Sequence, residues 1–365
     1  MPAPATPRSY PPEPNITSDE AAEIILAGAS GLLYGNYIYY SYIIGAFHKF
    51  PEQVAKPMRR AIYYTNYSLD PKNALKYYKE SLRVADEIGF DPFSEEMIGV
   101  KIQVAALFEK IEQYDKAIGV LEIIKSDNLK WMEALGDKPG NEAKRTRVLK
   151  KTVQVSVKLG DLYACPYILE TEKAEESLVW AVQTVMQEKR RVESSGVEVE
   201  QGDWLSDEEQ GAALETLAHH YEEKDHHYLA APLFLQAITF SQPVNCHTTV
   251  LMNNLSISLA QQLPPPSTKA SATRTQLISN AKQWAEKAIS ITAAIKDPER
   301  TEECDVSCAV ATHNLGEFAE MLGDVKEARK RFLEAMNLAQ KVGFKEGVVH
   351  SGMALRRLDD SKKKS

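Results

Sequence analysis

Two widely separated segments of the chain share one spacing. The first is Leu214-x2-Leu217-Ala218-x2-Tyr221-x8-Ala230-x3-Phe234-x2-Ala237; the second is Leu315-Gly316-x2-Ala319-x8-Ala328-x3-Phe332-x2-Ala335. In both, small residues recur at helical intervals beside one large apolar residue, and the same eight-residue gap separates the two halves. Small residues at matching positions let two helices touch closely, and the large ones fill the space between helix pairs. Each such pair keeps an apolar face that only another pair can bury, so the pattern demands a stack rather than a single globule.

This is the spacing of the tetratricopeptide (TPR) repeat, a helix pair of about 34 residues. Three further units fit it with variations. Val104-Ala105-x2-Phe108-x8-Ala117-x3-Leu121-x2-Ile124 keeps the spacing, and Leu159-Gly160-x2-Tyr163 joins Ala174-x3-Leu178-x2-Ala181 after a gap two residues longer. Leu255-Ser256-x2-Leu259 joins Ala281-x3-Ala285-x2-Ala288 across an insertion of 13 residues holding Pro264, Pro265 and Pro266, which reads as a protruding loop. A fragment of a first unit survives as Ala74-x3-Tyr78-x2-Ser81. The expected fold is therefore all-α: a TPR-type helical-repeat solenoid over 55–358, of about six helix pairs plus a capping helix at 344–358, with residues 359–365 a frayed tail. Residues 126–147 and 188–210, rich in Gly, Pro or charge, read as irregular connections between repeats.

Ahead of the repeats, residues 1–22 read as a disordered lead rich in Pro, Ser and Thr. From Ile24 to His48 no residue is charged. That length suffices to cross a bilayer, so a transmembrane helix is expected over 23–48. Its tyrosines cluster toward the second half, as at a membrane interface. Gly31 and Gly35 form G-x-x-x-G, a spacing that lets two membrane helices pack closely. Lys49, Lys56, Arg59 and Arg60 follow the segment, whereas only Arg8 precedes it; the positive-inside rule would keep the repeats on the side from which insertion began.

The chemistry of catalysis is hard to find in the chain. There is no Gly-rich phosphate loop, nucleophile elbow or H-E-x-x-H, so neither an enzyme nor a cofactor is expected. A net charge of -8 argues against nucleic acid as a partner. His219, His220, His226 and His227 crowd into one segment, and His219 and Glu223 are spaced i,i+4, but a zinc site needs three or four converging ligands, and no metal is expected. The four cysteines are too sparse for a disulfide framework. Cys304 and Cys308 share one helical face and read as two small core residues, a disulfide between them being the alternative.

The default functional surface of a solenoid is the groove lined by the first helix of each pair. The register places Gln103, Lys110, Lys158 and Asp161 there in the first half. Further along it places Glu215, His219, Glu222, Asn253, Asn254 and Ile257, then His313, Asn314 and Glu317. Asn254 and Asn314 occupy the same repeat position, where an amide can bond the backbone of a bound peptide whatever its sequence, or else only the neighbouring turns.

The uncharged segment is followed by HKFPEQVAKPMRRAIYYTN (48–66), then ALKYYKESLRVADEIGFDPFSEE (74–96), LGDLY (159–163), LAHHYEEKDHHYLAAPLFLQA (217–237) and LMNNLSISLAQQ (251–262). Together these resemble the fungal TPR-containing adaptor subunit of the mitochondrial i-AAA protease complex, over roughly residues 24–350. The resemblance implies a non-enzymatic adaptor in the mitochondrial inner membrane, its repeats in the intermembrane space. Its implied partners are the AAA protease, a second adaptor subunit, and the unfolded or unassembled membrane polypeptides delivered for degradation. Two readings compete: an outer-membrane import receptor and a respiratory-complex assembly factor, both of which share an anchor and repeats.

Overall fold

The computed structural model describes residues 47–195, 204–262 and 274–364. The expected lead, most of the expected membrane segment with Gly31 and Gly35, and the proline-rich insertion lie outside them. Among the described residues no helix is long and apolar enough to cross a membrane. The chain divides into two units, one ending at Pro92 and one running from Phe93.

In the first unit, α1 (Glu52–Asn66) pairs with α2 (Pro71–Glu87). Asp70 caps α2 by accepting from the Asn73 N–H at 3.1 Å, and Pro71 occupies its first turn, where a missing N–H costs nothing. Val54, Ala55, Met58 and Ala61 of α1 are buried, as are Ala74, Tyr78 and Ala85 of α2. Two buried polar contacts fix their register. The Ser81 hydroxyl donates to the Val54 carbonyl at 3.1 Å, and the hydroxyls of Thr65 and Tyr78 meet at 3.2 Å.

The second unit continues in helix pairs: α3 (Glu95–Lys110) with α4 (Tyr114–Trp131), α5 (Glu142–Ala164) with α6 (Thr171–Ser195), α7 (Asp207–Glu223) with α8 (His227–Phe240), α9 (Cys246–Gln261) with α10 (Arg274–Ala294), and α11 (Glu302–Met321) with α12 (Val325–Lys341), closed by α13 (Lys345–Lys364). The second-helix signatures are core throughout: Ala117, Leu121 and Ile124; Ala174, Leu178 and Ala181; Ala230, Phe234 and Ala237; Ala281, Ala285 and Ala288; Ala328, Phe332 and Ala335 are all buried. The small first-helix residues do what their spacing requires. A Cβ on Gly160 would lie 2.4 Å from Leu178 Cγ, and one on Gly316 would lie 2.6 Å from Phe332 Cε1. Starts are capped locally: Ser206 and Asn245 form capping boxes, Ser94 and Asp324 single caps.

Several boundaries differ from expectation. The irregular stretch around Gly136 is shorter than 126–147, because α4 runs to Trp131 and passes into a π turn, Met132–Gly136, before α5 starts at Glu142. Buried Trp131 and Asn128, whose amide donates to Thr152 Oγ1 at 3.1 Å, keep that end ordered. Likewise α6 reaches Ser195, past the expected break at 188. The Glu188 side chain is only 4% exposed and is held by Arg191 at 2.5 Å and Arg145 at 3.7 Å. At the C-terminus, α13 runs on to Lys364 rather than ending at Leu358; Arg329 pairs with Asp359 and ties its later turns to α12.

Cys304 pairs with Cys246, 58 residues earlier, and not with Cys308. The bond joins the first turns of α9 and α11, with their Cα atoms 4.7 Å apart. Cys308, one helical turn on, keeps a free thiol. Side chains one turn apart on a helix point the same way rather than toward one another, which disfavours a bridge between them.

Candidate functional site on the first-helix face

The first helices α7, α9 and α11 lie side by side and are stitched together by polar side chains. Glu215 of α7 receives His247 Nε2 of α9 at 2.9 Å, and the other nitrogen of that ring lies 3.0 Å from Glu303 of α11. His219 sits one turn after Glu215, with Nε2 3.6 Å from its carboxylate and Nδ1 3.1 Å from Glu222. Ser258 of α9 donates to Glu222 at 2.6 Å, and the Asn254 amide lies 3.4 Å from His219 Nε2. His219 thus works with Glu222 and Glu215, not with Glu223.

These contacts fix the charges. The Glu215 carboxylate raises the His219 imidazole to about 9, with Glu222 adding to it. His247 is likewise raised to about 9, first by Glu215 and against its partial burial. Burial pushes Glu215 upward, but the hydrogen bonds from His219 and His247 outweigh it and hold the carboxyl at about 2. Both imidazoles are therefore cations at neutral pH. Their stabilisation is complete below the ordinary histidine value of 6.5 and is lost as pH rises through about 9. That of Glu215 is complete above 4.5 and is lost as pH falls through about 2. The whole network is in place between pH 4.5 and 6.5. The two histidine side chains are 45% and 43% exposed, so solvent screening limits the effect to about 1 kcal/mol. Melting temperature is expected to fall between pH 7 and 9, and Glu215→Gln to flatten that fall in a thermal-melt series. An unchanged slope in the variant would mean that other groups carry it.

The other expected groove residues divide. Gln103, Lys110 and Asp161 are exposed, and Lys158 reaches Glu109 of α3 at 2.7 Å. Asn253 is not on the groove. It is buried between α9 and α11, donating to the Ser307 carbonyl at 2.9 Å and its hydroxyl at 3.0 Å. One residue along a helix is a turn of about 100°, enough to move a side chain from the open face to the seam. Ile257, His313, Asn314 and Glu317 instead come together at a cavity of about 340 Å³ between α9, α11, α12 and α13. Phe318, Met321, Phe344 and Gly347 give it an apolar wall. His313 Nδ1 lies 3.0 Å from the Ser351 hydroxyl, and burial pushes its imidazole below the ordinary value. Arg357 of α13 reaches across to Glu317 at 2.8 Å and Glu320 at 2.5 Å. Asn314 is 5% exposed, and its amide nitrogen has no protein partner. A donor buried without a partner costs about 1–3 kcal/mol.

The clustered histidines do not converge. His220 is buried with neither ring nitrogen hydrogen-bonded, and burial holds it below the ordinary value. His227 is buried at the start of α8. Among the described residues no group of three or more His, Cys, Asp or Glu is arranged to hold a metal. Sequence reading missed His247, Ser258 and Glu303. The first two share a helix face with Asn254, but nothing local marks Glu303 as their neighbour.

No family model matches the chain. A Schizosaccharomyces pombe protein described as TPR repeat-containing is 26% identical over 314 residues, which span 85% of this chain and 79% of that one. The helix pairs keep a TPR-like spacing. Among solved structures, BtubC from P. vanneervenii is similar over 80% of this chain and 91% of its own, at 14% identity and a TM-score of 0.45. The helix pairs α7/α8, α9/α10 and α11/α12 carry the polar network, and α13 completes the cavity.

Proposed function

We propose that this TPR chain is a non-enzymatic adaptor that binds unfolded polypeptide along its first-helix face and presents it to an AAA protease of the mitochondrial inner membrane. In this reading Ile24–His48 is a single-pass anchor, the repeats face the intermembrane space, and a second adaptor subunit completes the assembly. The observation that supports polypeptide binding best is the cavity walled by Phe318, Met321 and Phe344 with the Asn314 amide unpartnered at its lining. An apolar side chain fits the wall, and once the Asn314 side chain turns toward the cavity a backbone carbonyl satisfies its amide. The protease and its compartment rest on the resemblance of the 48–66 junction and the repeat segments to the adaptor family.

The test is to purify the tagged full chain in mild detergent and identify what accompanies it. An AAA protease in the eluate is the expected result; its absence rules out the adaptor role. Asn314→Leu is expected to weaken capture of an unfolded client about tenfold, the loss of one buried hydrogen bond of about 1.4 kcal/mol. Capture equal to that of the unaltered chain would move the binding site elsewhere. The basic residues Lys49, Lys56, Arg59 and Arg60 favour the second reading, an import receptor with its repeats in the cytosol. External protease would strip the repeats from intact mitochondria in that case and spare them in the first.

A further inference from the structure

Helix α1 buries one face against α2 and leaves the opposite one open. Gln53, Lys56, Arg60, Tyr63 and Tyr67 are all exposed. Their spacing of three, four, three and four residues puts them on a single stripe. The stripe is apolar and aromatic at its C-terminal end, with Tyr63 52%, Tyr67 81% and Leu69 52% exposed. Its rings are ordered among themselves. Tyr63 stacks on Tyr67 at 6.1 Å, Tyr64 stacks on Tyr77 of α2 at 5.8 Å, and the Arg60 guanidinium sits 5.5 Å from the centre of Tyr77.

The charge beside the stripe is predominantly basic. Residues 49–79 hold seven Lys and Arg against Glu52 and Asp70, in a chain whose net charge is -8. Glu52 is paired with Arg59, and Asp70 is occupied as the cap of α2. Tyrosine, like tryptophan, settles its ring at the headgroup level of a bilayer, and lysine and arginine extend their stems along apolar surface while keeping the charge in water. Helix α1 also begins only four residues after His48, where the uncharged stretch ends. Four extended residues reach at most about 14 Å, so an anchor in that stretch would hold α1 against its own bilayer.

We propose that the Lys56–Arg60–Tyr63–Tyr67 stripe of α1 is a contact surface for an anionic lipid bilayer, with the tyrosines in the headgroup layer and the basic residues on lipid phosphates. The proposal shares the membrane with the function above but does not require Ile24–His48 to cross it.

The experiment uses the full chain carrying Tyr67→Trp, mixed with vesicles of phosphatidylcholine alone or of phosphatidylcholine with phosphatidylglycerol, each with brominated acyl chains. The unaltered chain supplies the tryptophan background. Quenching roughly twofold stronger on the anionic vesicles, falling with added salt and with Lys56→Glu/Arg60→Glu, is expected. Circular dichroism confirms that the charge variant is folded. Equal quenching on both vesicles would mean that the tether alone brings α1 close, and would overturn the proposal. So would quenching on neither, even if carbonate fails to extract the chain; in that case the anchor stands and the surface does not. Salt-sensitive quenching from a chain that carbonate does extract would uphold the surface and remove the anchor. A charge variant that leaves quenching unchanged but loses a co-purifying protein would make the stripe a protein interface.

Discussion

Phe234→Ala is expected to lower the unfolding free energy by about 3–5 kcal/mol, the range for deleting a fully buried aromatic ring. Phe234 is 0% exposed and belongs to the cluster that joins Leu214, Leu217 and Tyr221 of α7 with Leu251 and Leu255 of α9. The ring fills space that three helices share, so none of them can close the cavity alone. The damage would also reach the polar face. The His219 ring stands edge-on to Phe234 at a centroid distance of 5.1 Å, and that imidazole positions Glu215 and Glu222. Chemical denaturation of the full chain measures the loss. A drop under about 1 kcal/mol would mean that the cluster repacks, contrary to the density expected of such an interior.

Gly316→Ala reverses the usual sign of its substitution. In an exposed helix, replacing glycine by alanine stabilises by about 0.5–1 kcal/mol. At Gly316 the new methyl would meet the Phe332 ring at 2.6 Å, and Phe332 is 0% exposed, so the ring has nowhere to go. Overpacking of this kind costs about 1–3 kcal/mol. Gly119, in α4, is the internal control. Nothing lies within 4 Å of where its Cβ would stand, so Gly119→Ala is expected to stabilise. Opposite signs for the two variants in one denaturation series are the expected outcome. A stabilising Gly316→Ala would show that α11 and α12 are not held as closely as described.

The repeat spacing carried most of the fold because it records contacts within one helix pair, where sequence distance and spatial distance run together. Ala230, Phe234 and Ala237 are core for the reason their intervals suggest, and where the gap is eight residues the turn between paired helices falls inside it. Boundaries were less legible where polar residues are buried. Glu188 looks like loop material until Arg145 and Arg191 are seen to neutralise it inside a helix, and Asn128 is ordered only because Thr152 receives it. Between pairs, intervals say little. Nothing in the sequence sets Glu303 beside His247, or Cys304 beside Cys246, because those meetings depend on how one first helix lies along the next. The register set Glu215, His219 and Glu222 on one face, and they join one network. It failed for Asn253 because groove and seam are neighbouring faces of the same helix.

The bond between Cys246 and Cys304 turns part of an otherwise linear stack into a covalent ring. The Pro264–Pro266 insertion lies inside that ring in sequence. A protease that cuts the insertion therefore opens the ring without dividing the molecule, and the two pieces still migrate as one until a reductant is added. The same ring sets a limit on extraction by force. A motor pulling from the C-terminus can unwind α13, α12 and most of α11 as a single thread, but at Cys304 it must drag three strands at once, both arms of the ring and the chain before Cys246.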